Sequence, residues 1–410
     1  MLRVLRNPAY AKLFGAQVVA LLGTGLLTVA LGLLAFEIAG ADAGTVLGTA
    51  LTIKMVAYVC VAPLIAAAVD RLPAKAVLVS ADALRLVVAL ILPAVGEAWQ
   101  VYVLVFVLQS ASATFTPAFQ ALIPRVLPDA SDYTRALSLS RLAYDLESLL
   151  SPVIAAALLV VVTFNTLFVG TALGFAISAA LVLATSLPPR EEDGSPTTFW
   201  QRLPMGLRVF LHAPTLRFLL LVNVVVASAT ALVLVDSVVF VKVRYGLDDA
   251  ALALTLASYG AGSLVVAMLV PRIVDRVGVV RSMSAGVVVV VAGLSVAVAV
   301  SAFDGGWMAL LATWVVLGIG TSLLNTPSGR LLAEASTAKD RNLVYTAQFA
   351  LSHGCFLIAY PIAGWAGAVH LAWAAGVLWL LTSVAGVAAL TYVRVAGLRR
   401  ADRITAGTPV

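Results

Sequence analysis

Charge, cysteine and histidine are scarce in this chain. Of its 410 residues only 11% are Asp, Glu, Lys or Arg, two are cysteine and three histidine. The cysteines, Cys60 and Cys355, both fall inside apolar runs, which excludes a disulfide framework and a CxxC metal or redox pair. No P-loop, no HExxH and no GxGxxG following a strand occurs. An enzyme is therefore not indicated, no cofactor is expected, and an ion gradient replaces ATP as the implied source of energy. Ten-residue alternation of polar and apolar residues is missing too, which excludes a membrane barrel.

What fills the chain instead is apolar: 62% hydrophobic residues and a mean hydropathy of +1.05. A soluble domain runs nearer half apolar and a quarter charged. Twelve apolar runs lie at about 13–38, 45–69, 76–96, 99–123, 138–162, 164–187, 216–240, 249–270, 282–303, 307–325, 343–368 and 371–393. Each is long enough as a helix to cross roughly 30 Å of hydrocarbon. Arg3, Arg6 and Lys12 precede the first run in the manner of a signal peptide, but no soluble domain follows, so a retained first helix is expected.

The net charge of +6 is distributed by side. With the amino end placed in the cytoplasm, 21 of the 26 Lys and Arg fall on that side. Only Lys242 and Arg244 fall on the other, and Lys54, Arg85 and Arg141 lie within spans. This is the positive-inside pattern. It predicts both termini in the cytoplasm and a protein integral to the plasma (inner) membrane, and it leaves no reason to invoke nucleic acid. The chain is read as a monomer.

The two halves echo each other. Val69-Asp70-Arg71 recurs as Val274-Asp275-Arg276, Asn7-Pro8 as Ala213-Pro214, Thr116-Pro117 as Thr326-Pro327, and Ser151-Pro152 as Tyr360-Pro361. Four pairs in order at nearly constant offset predict a fused repeat, with two copies of like orientation related by an axis along the membrane normal. The expected organisation is an all-α membrane protein of two pseudo-symmetric six-helix bundles, 1–187 and 216–410. A polar cytoplasmic linker, 188–215, joins them, and the second bundle ends in a short tail.

At this point the chain resembles the major facilitator superfamily of transporters over essentially its whole length. That family carries G-x-x-x-D-R-x-G-R-R between spans 2 and 3, echoed between spans 8 and 9. Here the first copy, Ala66 to Lys75, keeps Asp70, Arg71 and a final basic residue but neither glycine; the second keeps Asp275, Arg276 and Gly278. Asp82 and Arg85, opening span 3, are expected in the same cytoplasmic cluster. The resemblance implies that Asp70, Arg71, Lys75, Asp82, Arg85, Asp275 and Arg276 form gate pairs that break when the cytoplasmic mouth opens.

Ser151-Pro152-Val153-Ile154-Ala155 resembles the antiporters' G-P-x-x-G with both glycines replaced, adding Ser151 and Pro152 to the gating set. The segments from Phe115 to Leu137 and from Leu139 to Ser148 resemble macrolide-efflux and nickel- or cobalt-resistance exporters. The chain departs from these in two ways: its tail has no histidine, and span 4 lacks the membrane arginine of many drug–proton antiporters.

Ionised side chains at a helix centre cost about 2.5–3.5 kcal/mol on insertion scales, so they need partners or water. In span 5, Arg141 and Asp145 are one turn apart and can pair. Glu147, roughly 14 Å deep in a span beginning near Ser138, is the expected proton-binding carboxylate. Lys54 in span 2 either snorkels or faces the cavity, with Glu37 at the end of span 1 as its expected partner. Asp236, one turn from the end of span 7, is expected at the surface, with a coupling role as the alternative. Gln17, Gln109 and Asn223 line the cavity by family analogy, or bond helix to helix. Gln348 and His353 lie in span 11; His353 and Cys355 are two apart and do not share a face, which argues against a metal site.

The function these readings predict is proton-coupled export of a small toxic solute by alternating access, with protons and the lipid bilayer as the other partners. Amphiphilic organic cations and divalent metals such as nickel or cobalt are both open as substrates. Uptake of a nutrient and a non-transporting membrane receptor are the alternatives.

Overall fold

Helix starts are set by local chemistry. Asn7 caps the first helix, its Oδ1 accepting from Ala9 N at 3.0 Å and Tyr10 N at 3.2 Å, and Pro8 occupies the first helical position. A proline there lacks only an N–H the helix cannot use. The repeat predicted the same start half a chain later, and the seventh helix does begin at Pro214. The computed structural model describes residues 2–61, 72–186, 207–208, 210–303, 305–336 and 341–398, with backbone alone at some positions, including Arg141, Asp145 and Pro152.

The helices are α1 Pro8–Ala39, α2 Ala43–Val56, α3 Ala74–Ile91, α4 Ala98–Val126, α5 Ala130–Leu159 and α6 Phe164–Leu183. The second set is α7 Pro214–Ala231, α8 Asp249–Val277, α9 Val279–Ala302, α10 Gly306–Glu334, α11 Arg341–Pro361 and α12 Leu371–Val395. Among the described residues, ten stretches are long and apolar enough to cross a membrane, one of which, Pro8–Val61, holds both α1 and α2; α5 is not among the ten. Three helices run on through wider π-helical turns: α2 through Ala57–Val61, α7 through Leu232–Asp236 and Val239–Arg244, and α11 through Ile362–Ala366. Such turns leave the regular i→i−4 ladder and cluster at functional sites.

Contacts repeat with the symmetry the sequence suggested. α1 packs on α6 as α7 packs on α12, α3 on α4 as α9 on α10, and α3 on α6 as α9 on α12. Between the halves, α2 packs on α11 and α5 on α8, a pair of contacts that exchange under the same symmetry. Buried Phe168, Phe175, Phe218, Phe240 and Trp314 fill the interior. Stripes such as Leu380, Val384 and Val387 on α12 stay exposed, as a lipid-facing surface requires.

Starts of odd helices and ends of even ones share one face. Lys12 and Lys75, at the starts of α1 and α3, donate to the last carbonyls of α6: Lys12 to Ala184 at 2.9 Å, Lys75 to Leu183 at 2.7 Å and Thr185 at 3.0 Å. We term this the basic face, after the Lys and Arg around it, and the opposite one the far face. At the far face α2 and α11 cross at van der Waals limit. A methyl group at Gly48 would lie 2.7 Å from Gly364 Cα, and one at Gly364 would lie 2.8 Å from Gly44 O. Small residues one turn apart allow this approach. Trp365 Nε1 donates to Thr49 Oγ1 at 3.2 Å across the same crossing.

Candidate functional site

Lys54 stands eleven residues into α2, about 16 Å from the far end of that helix, and Glu147 twelve residues, about 18 Å, before the far end of α5. The equal depth brings them together: Lys54 is the opposite charge that acts on Glu147. This corrects the expected pairing of Lys54 with Glu37. Glu37 is exposed at the end of α1, a helix end away from the lysine.

Glu147 is held from behind by α1. A methyl at Gly25 would come within 2.7 Å of Glu147 Oε1 and would overlap the hydroxyl of Ser151. Ser151, expected in a gating element, is buried against α1 one turn from Glu147. The side chains of its neighbour Pro152 and of Arg141 and Asp145 lie outside the described residues, so the expected Arg141–Asp145 pair is not placed.

Tyr58, in the π-helical turn of α2, lies within electrostatic reach of Tyr144, Arg85 and Glu147. Its ring also meets the other half, 5.1 Å from that of His353 and 5.9 Å from that of Phe349 on α11. His353 stacks against Phe349 with ring centres 4.0 Å apart. Its Nδ1 lies 2.7 Å from Phe349 O. Lys54, Tyr58, Tyr144, Glu147 and His353 are all half-buried at mid-helix. Phe356 and Tyr360 stack one and two turns beyond, at 5.3 Å. Among the described residues no three His, Cys, Asp or Glu come together as a metal site.

Asp82 and Arg85 are not at the basic face. Both are buried in α3, eight and eleven residues past its start, about 12 and 16 Å in. They form an ion pair one turn apart, and Ser178 Oγ of α6 donates to Asp82 Oδ2 at 2.7 Å. The guanidinium lies 4.5 Å from the ring centres of Phe115 on α4 and Phe175 on α6. Aromatic faces attract a cation more strongly when water is absent.

The remaining gating residues pair within their own half or lie elsewhere. Lys75 holds the end of α6 rather than a partner across the halves. Asp275 and Arg276 are exposed, and Asp275 faces Arg330 of α10 at 3.6 Å. Asp70 and Arg71 lie outside the described residues. Asn223 and Gln348 exchange two hydrogen bonds of 3.1 Å between α7 and α11, which is the helix-to-helix alternative. Gln17 and Gln109 are buried, each with an amide oxygen lacking a partner among the described residues.

Asp236 departs most from expectation. It is fully buried, because α7 continues through its π-helical turns to Arg244 instead of ending one turn on. Neither carboxylate oxygen has a hydrogen-bond partner among the described residues.

Sequence reasoning missed Tyr58, Tyr144 and Gly25. Tyr58 is one turn from Lys54, a signal that was available; the role of Gly25 depends on how α1 meets α5 and leaves no local trace.

The family model of the Major Facilitator Superfamily matches residues 13–248 and 237–407. Solved structures share the fold at low identity. A point mutant of the nucleoside transporter NupG has a TM-score of 0.68 at 13% identity, covering 94% of this chain and 99% of its own. A POT family transporter in complex with a thioalcohol-conjugated peptide has 0.69 at 11%, covering 95% and 96%. A bacterial homolog of the human lysosomal transporter Spinster, inward-facing and unoccupied, has 0.66 at 13%, covering 99% of each chain. No curated protein matches the chain at a significant level.

Proposed function

The chain belongs to the major facilitator superfamily, and from that premise we propose that it is a proton-coupled antiporter exporting amphiphilic organic cations. The observation that supports this reading is one carboxylate, Glu147, within electrostatic reach of Tyr58 in the α2 extension, whose ring in turn meets Phe349 and His353 on α11 of the other half. A desolvated cation gains about 2 kcal/mol or more over an aromatic face, and Glu147 supplies the charge.

In this reading the basic face is cytoplasmic and both termini lie there. The far-face crossing of α2 and α11 is the closed outer gate, and the cavity is loaded from the cytoplasm. The two six-helix units, 1–187 and 216–410, rock against each other so that the α2–α11 crossing opens and closes. Lys54 holds the empty site by neutralising Glu147. A cationic substrate displaces the ammonium from the carboxylate. Once the outer gate opens, a proton on Glu147 cancels the attraction and the substrate leaves. Differential affinity of this kind is what lets a ligand shift a two-state equilibrium.

A second reading, uptake of a zwitterionic nutrient, is supported by Lys54 itself: an amine beside a carboxylate suits a substrate carrying both charges. The test uses inside-out vesicles, acidified inside and loaded with a pH-sensitive dye. Organic cations, dipeptides, nickel and cobalt are added in turn, with Glu147→Gln as control. Proton efflux on adding organic cations, lost in the control, is expected. Efflux with nickel or cobalt alone moves the site to metal export, and a response to none of the panel sinks the antiport reading.

A further inference from the structure

Asp236 sits where three elements converge at the far face. A methyl at Gly367, at the end of the α11 extension, would lie 2.5 Å from its Oδ1, and one at Gly44 of α2 would lie 3.9 Å from the same atom. The carboxyl therefore occupies the joint where α2 crosses α11. It is not part of the Lys54–Glu147 site, which lies more than two helical turns deeper.

Among the described residues, no titratable or charged group on the elements packed around Asp236 hydrogen-bonds to its carboxyl. Lys242 on its own helix extension pairs with Asp249 of α8 at 2.7 Å, and Arg244 donates to Ser301 O at 2.7 Å. Lys54 of α2 acts on Glu147. Tyr259 of α8 shares a hydrogen bond with Thr321 at 2.9 Å, and Tyr360 of α11 lies within reach of Tyr259. His370 accepts from Ala372 N at the cap of α12.

A bare carboxylate stripped of water, with no partner, is strongly unfavourable even after relaxation. A neutral carboxyl avoids most of that cost. Asp236 is fully buried with Gly367 close against its Oδ1, a setting that a proton satisfies alone, whereas a metal cation would need several oxygen ligands.

We propose that Asp236 is a second proton-binding site that belongs to the far-face gate: protonated while α2 and α11 are closed over it, and releasing its proton to water when they part. The inference rests on reading that crossing as a gate, but not on which solute is carried. Its sign follows from linkage. The closed state binds the extra proton, so rising pH favours the open state, by at most tenfold per pH unit for one site.

The test places spin labels at Ala41→Cys, before α2, and Val369→Cys, at the end of α11, in a Cys60→Ser/Cys355→Ser background. Pulsed EPR then reads the two distance populations between pH 5 and 8 in lipid. The expected result is a long-distance population that grows with pH in the parent protein. In Asp236→Asn, which keeps the shape of the neutral acid, it should stay low and flat; Asp236→Ser serves if the first variant does not fold. In Glu147→Gln the pH response should persist. Three results overturn the proposal: no pH response in the parent, a response retained in Asp236→Asn, or a response that follows sodium at fixed pH. A response lost only in Glu147→Gln removes this inference and leaves the transport reading intact.

Discussion

Adding one methyl group at Gly48 should open the far face. In Gly48→Ala the new carbon starts 2.7 Å from Gly364 Cα, whereas two carbons settle at about 3.5–4.0 Å. The helices must therefore separate by roughly 1 Å. Neither side offers a flexible side chain to absorb the shift, because the atoms met are backbone. Overpacking of this kind costs about 1–3 kcal/mol, and only the closed state bears it. The open-to-closed ratio should rise about fivefold to 150-fold. The spin-label pair at positions 41 and 369 reads that ratio directly. Gly376→Ala is the control, since no atom lies within 4 Å of the added carbon. An unchanged distance distribution in folded Gly48→Ala would refute the argument that backbone contact holds this end shut.

Two further perturbations test the packing around the charged site. Arg85→Met leaves Asp82 buried without its partner and should lower stability by about 3–5 kcal/mol. The double variant with Asp82→Asn should recover much of that loss, measured by thermal unfolding in detergent. Gly25→Ala drives a methyl onto Ser151 and Glu147; it should depress transport in the vesicle assay, and Ser151→Gly should restore part of it by making room.

Most of the fold was legible because the bilayer imposes length and apolarity on every span. The apolar runs coincide with helices α1 to α12, give or take a few turns. The discrepancies have local causes. α5 begins at Ala130, not near Ser138, because Ser and Asp residues in its first turns are polar without being helix breakers. α10 runs through Pro327 to Glu334, past the apolar run ending at about residue 325, because a proline inside a membrane helix is tolerated where neighbours pack around it. The π-helical turns were not legible: Ile362–Ala366 and, apart from Asp236 itself, Leu232–Asp236 carry ordinary apolar residues. That is why Asp236 was expected at the surface.

At the site, Glu147 and Lys54 stood out because a charge in an apolar run is conspicuous. Their pairing did not, since it depends on depth along two helices that run in opposite directions. Asp82 and Arg85 were assigned to the wrong neighbourhood for a related reason. Their closeness to the basic loop in sequence hid the two aromatic rings and the serine that other helices supply.

The double hydrogen bond between Asn223 and Gln348 restricts how the second half can deform. Separating the two amides costs on the order of 1 kcal/mol per bond, so the pair favours joint movement of α7 and α11. Contacts between the halves at the α2–α11 crossing rest on glycine and two side-chain hydrogen bonds from Thr45 and Trp365. A displacement of α11 is therefore expected to carry α7 with it. Inhibitors that wedge between α2 and α11 would hold that gate apart, and substitutions that cut the amide pair would loosen the tie between α7 and α11.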